Sequence, residues 1–252
     1  MRIIGRGFLA SGLRALADQH SHAVAFAAGV SRSDGSADAE FSREAALLYD
    51  TIRDCLRTGQ RLLYFSTSSA GLYGHGAEQQ PTAEDGPVRP SSPYGRHKLA
   101  MEEVVRSSGA DHLVLRLAYP VGSAQRPHQF LPSLVGQIRN GQVRIHRGAR
   151  RDLIGIDDVV ALLDALLQRG VSRRVVNLAS GWAVPVEDIV DHIEMRLAIA
   201  ADRQVTDVRP EGAVSTALLR RLLPSATRER GFGPDYYRRV IDAYLTDREL
   251  WP

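Results

Sequence analysis

Short apolar runs with strand character alternate with helix-patterned segments along most of this chain, and that alternation restricts the fold more than any other feature. RIIG at the start is a short strand, GRGFLASG a glycine-rich turn and LRALADQ the beginning of a helix. AVAFAAGVS (23–31) reads as a buried strand, 32–39 as a polar loop, EFSREAALLYDTIRDCLRTG as a helix stopped by Gly59, and RLLYFSTSSAGLYG as a strand entering a serine-rich turn. A loop rich in glycine, proline and acids leads to a helix around Tyr94. Strand HLVLRLAYPVG, helix QFLPSLVGQIRNG, strand QVRIHRG, then RRDLIGIDDVVALLDALLQRG, VVNLASG and VPVEDIVDHIEMRLA continue the pattern. The spacing predicts an α/β fold with a mainly parallel sheet covered on both faces. Residues 1–120 would form the main α/β region, and 121–252 would complete the sheet and add a small C-terminal lobe.

Composition removes several classes. The 252 residues suffice for one large domain with a sizeable core. Thirty-two basic and 29 acidic side chains are intermixed and leave a formal charge of +3, so no nucleic-acid surface is expected. No apolar run approaches the ~18 residues of a spanning helix, and Arg6, Arg14 and the glycines break the N-terminal stretch, unlike a signal peptide. A soluble, cytoplasmic protein without a membrane partner is expected. The one cysteine, Cys55, falls in a helical pattern that suits a buried structural thiol. The eight histidines show no metal-like grouping, and His20 and His22, in a polar connection, are expected to be exposed; no metal site is predicted.

The basic residues divide into 31 arginines and one lysine, Lys98. Where arginine has taken almost every cationic position, a retained lysine is a candidate for needing its compact ammonium. Lys98 lies four residues after Tyr94 in SSPYGRHKLAMEEVV. Ser91 or Ser92 can cap this segment, Pro93 suits its first turn, and the i, i+4 spacing puts phenol and ammonium on one face. A phenol ordinarily ionises near ~10, and an adjacent cation pulls that value toward the working range, so Tyr94 is expected to exchange a proton with a carbonyl or hydroxyl while Lys98 tunes it. By chance the pair would occur only about 0.03 times in such a chain.

Gly5, Gly7 and Ala10 fit G-x-G-x-x-A, whose small residues let amides at a helix start approach a diphosphate. Together with FAAGVS, FSTSSAGLYG, PYGRHK, LRLAYPVG, RRDLIGIDDVV and VVNLASG, in that order, this pattern resembles the extended short-chain dehydrogenase/reductase family, in particular its NAD-dependent epimerase/dehydratase group acting on nucleotide sugars. The resemblance implies a Rossmann-like fold, an NAD or NADP cofactor and a homodimer formed through the helices at 39–58 and 91–108. It implies that Gly5, Gly7, Phe8, Leu9, Ala10, Ala28, Lys98, Tyr119 and Pro120 border the cofactor. It also implies that Tyr94 and Lys98 are joined by a hydroxyl at the end of the preceding strand. Counting forward from Phe65 gives Ser68; counting back from Tyr73 gives Ser69. Arg151 takes the place of an arginine that contacts the substrate's diphosphate, so Ser68, Ser69, Tyr94 and Arg151 would meet the substrate; an ion pair of Arg151 with Asp157 or Asp158 is the alternative, those two aspartates otherwise capping the following helix.

The chain departs from that family between its first helix and AVAFAAGVS. About five residues, 18–22, replace about fifty, removing two strands and the acidic residue that holds the adenosine ribose. Strands one and four are neighbours in the usual order, so the sheet can close up beside strand one, which becomes an edge needing cover. Three functions are open. The first is a reductase or epimerase of a nucleotide-linked keto sugar, with Tyr94 as general acid/base. The second is a cofactor-independent isomerase, cyclase or lyase on the same scaffold, and the third a non-catalytic ligand-binding partner. A 4,6-dehydratase is less favoured, because serines and alanine replace the Thr-Asp-Glu set that such enzymes carry in this turn.

Overall fold

The computed structural model describes residues 1–30, 38–74, 81–208 and 212–249. Five parallel strands form the central sheet: β1 (Arg2–Ile4), β2 (Ala23–Phe26), β3 (Arg61–Thr67) and β4 (His112–Leu117), followed in space by a strand from much later in the chain, Arg174–Leu178. Side chains alternate across it, as a two-residue repeat requires. Val24, Phe26, Leu62, Tyr64 and Val114 pack with Leu48, Ile52 and Cys55 of α2 (Asp38–Thr58) and Met101 and Val105 of a helix at Pro93–Ser107. Ala23, Ala25, Leu63, Phe65, Leu113 and Leu115 face the other way, toward Leu13 and Leu16, which follow α1 (Phe8–Gly12), and toward Leu162, Leu163 and Leu166. Between α2 and Pro93–Ser107 stands the short α3 (Ala70–Tyr73), so the helix bearing Tyr94 is α4.

After β4 come β5 (Tyr119–Val121), α5 (Phe130–Arg139), β6 (Gln142–Arg147), β7 (Arg150–Arg151), β8 (Leu153–Gly155) and α6 (Ile156–Gln168). The fifth sheet strand is therefore β9, and it is followed by β10 (Val184–Pro185), α7 (Val186–Leu197) and β11 (Asp202–Asp207). Helices α8 (Ala217–Leu222), α9 (Pro224–Glu229) and α10 (Tyr236–Glu249) end the described chain. A second core joins Leu131 and Ile138 of α5, Val143 and Ile145 of β6, Ile189 and Ile193 of α7, and Ile241 of α10. The segment after 120 thus divides: α6 and β9 complete the central sheet, while α5, β6, α7 and α10 build the separate core.

The excision leaves the predicted order intact. β1 pairs directly with β2 (Arg2 with Val24, Ile4 with Phe26) and is the sheet's edge. Several local expectations need correction. The strand expected over 23–31 stops at Phe26, because β1 ends at Ile4, and Ala27 makes the last contact by donating its N–H to the Ile4 carbonyl. Helix α2 begins at Asp38, inside the expected loop, whose residues 32–37 lie outside the described ones. His20 is not a solvent histidine: its side chain is 10% exposed and Nε2 lies 2.6 Å from Asp164, whereas His22 is exposed. Asp157 and Asp158 do not cap α6. The N-cap is Gly155, and the two carboxylates sit in the first turn, where the helix dipole favours them; Asp158 accepts the Tyr236 hydroxyl at 2.5 Å. No described helix is long and apolar enough to cross a membrane.

Candidate active site

The carboxyl ends of the sheet strands open into a cleft of about 1160 Å³. Its walls include Gly5, Gly7, Phe8, Leu9, Ala28, Ser69, Tyr94, Lys98, Tyr119, Pro120 and Arg151. Two predicted residues are not in it: Ala10 is buried behind the turn, and Ser68 is buried off the wall with its N–H donated to the Leu117 carbonyl. The reason is a turn that sequence counting cannot resolve. The Thr67 hydroxyl accepts the Ser69 N–H at 3.1 Å and lies 3.0 Å from the Ser69 hydroxyl, so Thr67 and Ser69 face the cleft and Ser68 is bypassed.

Tyr94 is set by the start of α4. Ser92 is the N-cap, accepting the Gly95 N–H at 3.0 Å, and Pro93 follows it. Gly95 has a further reason to lack a side chain: a Cβ there would lie 1.7 Å from the Gly71 carbonyl oxygen, so only glycine lets α4 approach α3 this closely. A side-chain hydrogen bond links Thr67 to the Tyr94 phenol. Burial raises that phenol above its ordinary value; the Lys98 charge and the Thr67 hydrogen bond oppose this, and Glu44 adds to it. The expected pull of Lys98 into the working range is therefore outweighed by desolvation.

Lys98 is among the most buried large side chains, at 1% exposure, and lies in the cleft wall with its Nζ 5.8 Å from the Tyr94 ring centroid and 5.3 Å from that of Tyr64. It donates to Glu44 Oε1 at 2.9 Å and lies 3.4 Å from the Phe65 carbonyl oxygen. Glu44, absent from the sequence-derived set, is 0% exposed. It also accepts the Tyr64 hydroxyl at 2.9 Å and the Val30 N–H at 2.6 Å, with His97 Nε2 at 3.3 Å. Burial alone would raise its carboxyl, but the Lys98 charge and the hydrogen bonds from Lys98 and Val30 prevail, with His97 close by, and hold it well below the usual carboxylate range. One signal for it exists in the sequence. Glu44, Leu48, Thr51, Ile52 and Cys55 share the buried stripe of α2, and a carboxylate at a stripe position needs a partner.

The residues present fit the diphosphate and nicotinamide portion of a dinucleotide. Gly5, at φ +137°, lets β1 turn against β2, where a Cβ would meet the Ala27 carbonyl oxygen at 2.4 Å. A Cβ at Gly7 would project into open space, leaving the start of α1 clear on the cleft side, and no side chain caps that start. Deeper in, the buried Ser66 hydroxyl lines the cleft without a hydrogen-bond partner. Toward the C-terminal core, Arg151 lies over the Tyr119 and Phe130 rings, 4.9 and 5.4 Å from their centroids. Arg151, Phe130 and His128 also border a second cavity of about 630 Å³ between α5, β6 and the start of α7, which adjoins the first through them.

The sequence pattern of the NAD dependent epimerase/dehydratase family matches residues 11–179. A UDP-glucose 4-epimerase of Azospirillum brasilense is 45% identical over 168 residues, 56% of this chain and 47% of that protein. A UDP-glucose 4-epimerase of Streptomyces lividans is 29% identical over 157 residues, 54% of this chain and 47% of that protein. The chain spans about half the length of these curated relatives. Among solved structures, RMD from Pseudomonas aeruginosa complexed with NADPH superposes with a TM-score of 0.80 at 20% identity, covering 98% of both chains. With two thirds of its length matched and the sheet, glycine turn and Tyr94–Lys98 helix in place, the chain belongs to the NAD-dependent epimerase/dehydratase family.

Proposed function

We propose that the protein is a reductase or epimerase of a nucleotide-linked keto sugar. The observation that carries this reading is the convergence in one cleft of a protonated phenol (Tyr94), a buried ammonium (Lys98), paired hydroxyls (Thr67 and Ser69) and the open Gly5–Gly7 turn. A nicotinamide cofactor bound at that turn supplies the capacity to give or take a hydride at a sugar carbon. Tyr94 holds the proton that the keto oxygen needs on reduction, and takes it back in the reverse direction. Thr67 keeps the phenol oriented, and Ser69 or Thr67 donates to the same sugar oxygen. Lys98 has two of its three donors directed to Glu44 and Phe65, and the third serves a ligand hydroxyl.

Residues 1–120 would then carry the cofactor and the chemistry, and the core built after residue 120 would hold the substrate. Arg151 places its planar fork against the diphosphate, steadied by Tyr119 and Phe130, and the adjoining cavity takes the nucleoside. A homodimer would form through α2 and α4, where Tyr49 and Leu56 of α2 are 57% and 53% exposed. Calorimetric titration with NADH and NADPH tests the assignment. Binding of either supports it. No binding, with a keto sugar still isomerised and Tyr94→Phe abolishing that turnover, transfers the assignment to a cofactor-independent acid/base enzyme.

A further inference from the structure

Glu44 joins three parts of the cleft wall that are distant in sequence. From α2 its two oxygens reach Lys98 on α4, Tyr64 on β3 and the Val30 amide in the segment that leaves β2. Gly29, beside Val30, lies directly over this pair: a Cβ there would sit 2.6 Å from Lys98 Nζ and 3.3 Å from Glu44 Oε1. A wholly buried ion pair is a poor source of stability, because desolvating both charges offsets most of their attraction, and well-packed apolar residues usually do as well. A network with this many partners is better explained by what it positions.

We propose that Glu44 is a positioning residue for the reaction: its carboxylate fixes the Lys98 side chain at the cleft wall and ties the Gly29–Val30 segment over it. The inference rests on the reductase or epimerase reading for its consequence in turnover, but its physical content does not need that reading. The groups facing the ammonium are Glu44 from α2, Tyr64 and the Phe65 carbonyl from β3, and Tyr94 from its own helix. His97 faces the far oxygen of Glu44 and is stacked on Phe41, with centroids 4.3 Å apart. Arg6, Glu40, Arg43 and Arg151 line the same cleft. Glu44 is thus the carboxylate in direct contact with Lys98, and removing its charge takes away the ionic contact that fixes where the amine sits.

The sequence allows an unusually clean test. Lys98 is the only lysine, so the full chain labelled with lysine carrying ¹³C at Cε gives one side-chain signal needing no assignment. In Glu44→Gln the Lys98 side chain, held by a neutral amide instead of a carboxylate, is expected to become mobile, with the order parameter at Cε falling at least about twofold. Turnover of Glu44→Gln should match this, with kcat falling about tenfold while KM changes little. An unchanged order parameter overturns the proposal. If Glu44→Gln does not fold, Glu44→Asp keeps the charge, retracts it by one methylene, and must show a smaller loss of order in the same direction; no loss there overturns it equally. The lysine signal is read without cofactor or sugar, so a protein lacking the proposed activity can still pass, and an active one can still fail.

Discussion

Replacing Lys98 by arginine changes no formal charge and would be harmless at almost any other basic position of this chain. Here the surroundings leave no room for it. The ammonium is 1% exposed, sits 2.9 Å from Glu44 Oε1, and is so close beneath Gly29 that a single added carbon there would come within 2.6 Å. A guanidinium is larger and planar, and must displace the Gly29 backbone or withdraw from the Glu44 carboxylate. Overpacking of this kind costs about 1–3 kcal/mol, which for a chain of this size lowers the melting temperature by about 2–12 °C. The displaced cation no longer addresses the ligand, and turnover should fall at least about tenfold, since even ~1.4 kcal/mol of lost transition-state stabilisation has that effect. Differential scanning calorimetry and steady-state assays read the two effects separately. Lys98→Arg with unaltered melting and unaltered turnover would refute the argument that this site requires a compact ammonium.

Tyr94→Phe should reduce turnover by about 10²–10⁴-fold while calorimetry shows cofactor binding retained, because the phenol is assigned to proton transfer rather than to affinity; a fall of less than twofold removes Tyr94 from the chemistry. Acid should destabilise the fold through Glu44. Its folded-state carboxyl lies below its unfolded value, so its contribution is present above the ordinary carboxylate range and is lost as pH falls below it. Urea unfolding of the unaltered protein compared with Glu44→Gln between pH 7 and about pH 3 checks the sign, and equal acid slopes would count against it. Because β1 is an edge with no strand beside it among the described residues to hold an adenosine, reduced nicotinamide mononucleotide should bind within about tenfold of NADH; a difference near a thousandfold would show that another part of the chain holds the adenosine half.

The parts of this site that were legible in the sequence are those decided by local chemistry. Lys98 stood out because its neighbours in composition are arginines, and the Ser92-Pro93 start of α4 follows from capping preferences alone. What was not legible depends on groups that meet only after folding. The choice between Ser68 and Ser69 turns on a hydroxyl of Thr67 accepting an amide two residues later, and letter counting cannot see that contact. The acidity of Tyr94 was read from one neighbour, Lys98, whereas the desolvation that outweighs it comes from the whole wall around the ring. Glu44 does not stand out in the sequence because its partners come from residues 30, 64 and 98.

The short connection after α1 gives the first crossover of the sheet a hand opposite to that of the next two. From β1 to β2, β3, β4 and β9 every step runs in the same direction across the sheet, and all five strands are parallel. The crossovers from β2 to β3 and from β3 to β4 use α2 and α4 on one face, whereas the crossover from β1 to β2 places Leu13 and Leu16 on the other face, with α6. Parallel crossovers that step the same way on opposite faces have opposite hands, so this first one cannot share the hand of the two that follow, although such connections are right-handed in about 98% of cases. The arrangement makes sense if α1 keeps the side it would occupy with further strands beyond β1, where stepping in the opposite direction from that same face gives the ordinary hand. Contacts of α1 and its following turn with α6 hold it there. The same placement keeps the Gly5–Gly7 turn directed into the cleft, so the half of the site that meets the chemistry survives a loss confined to the half that does not.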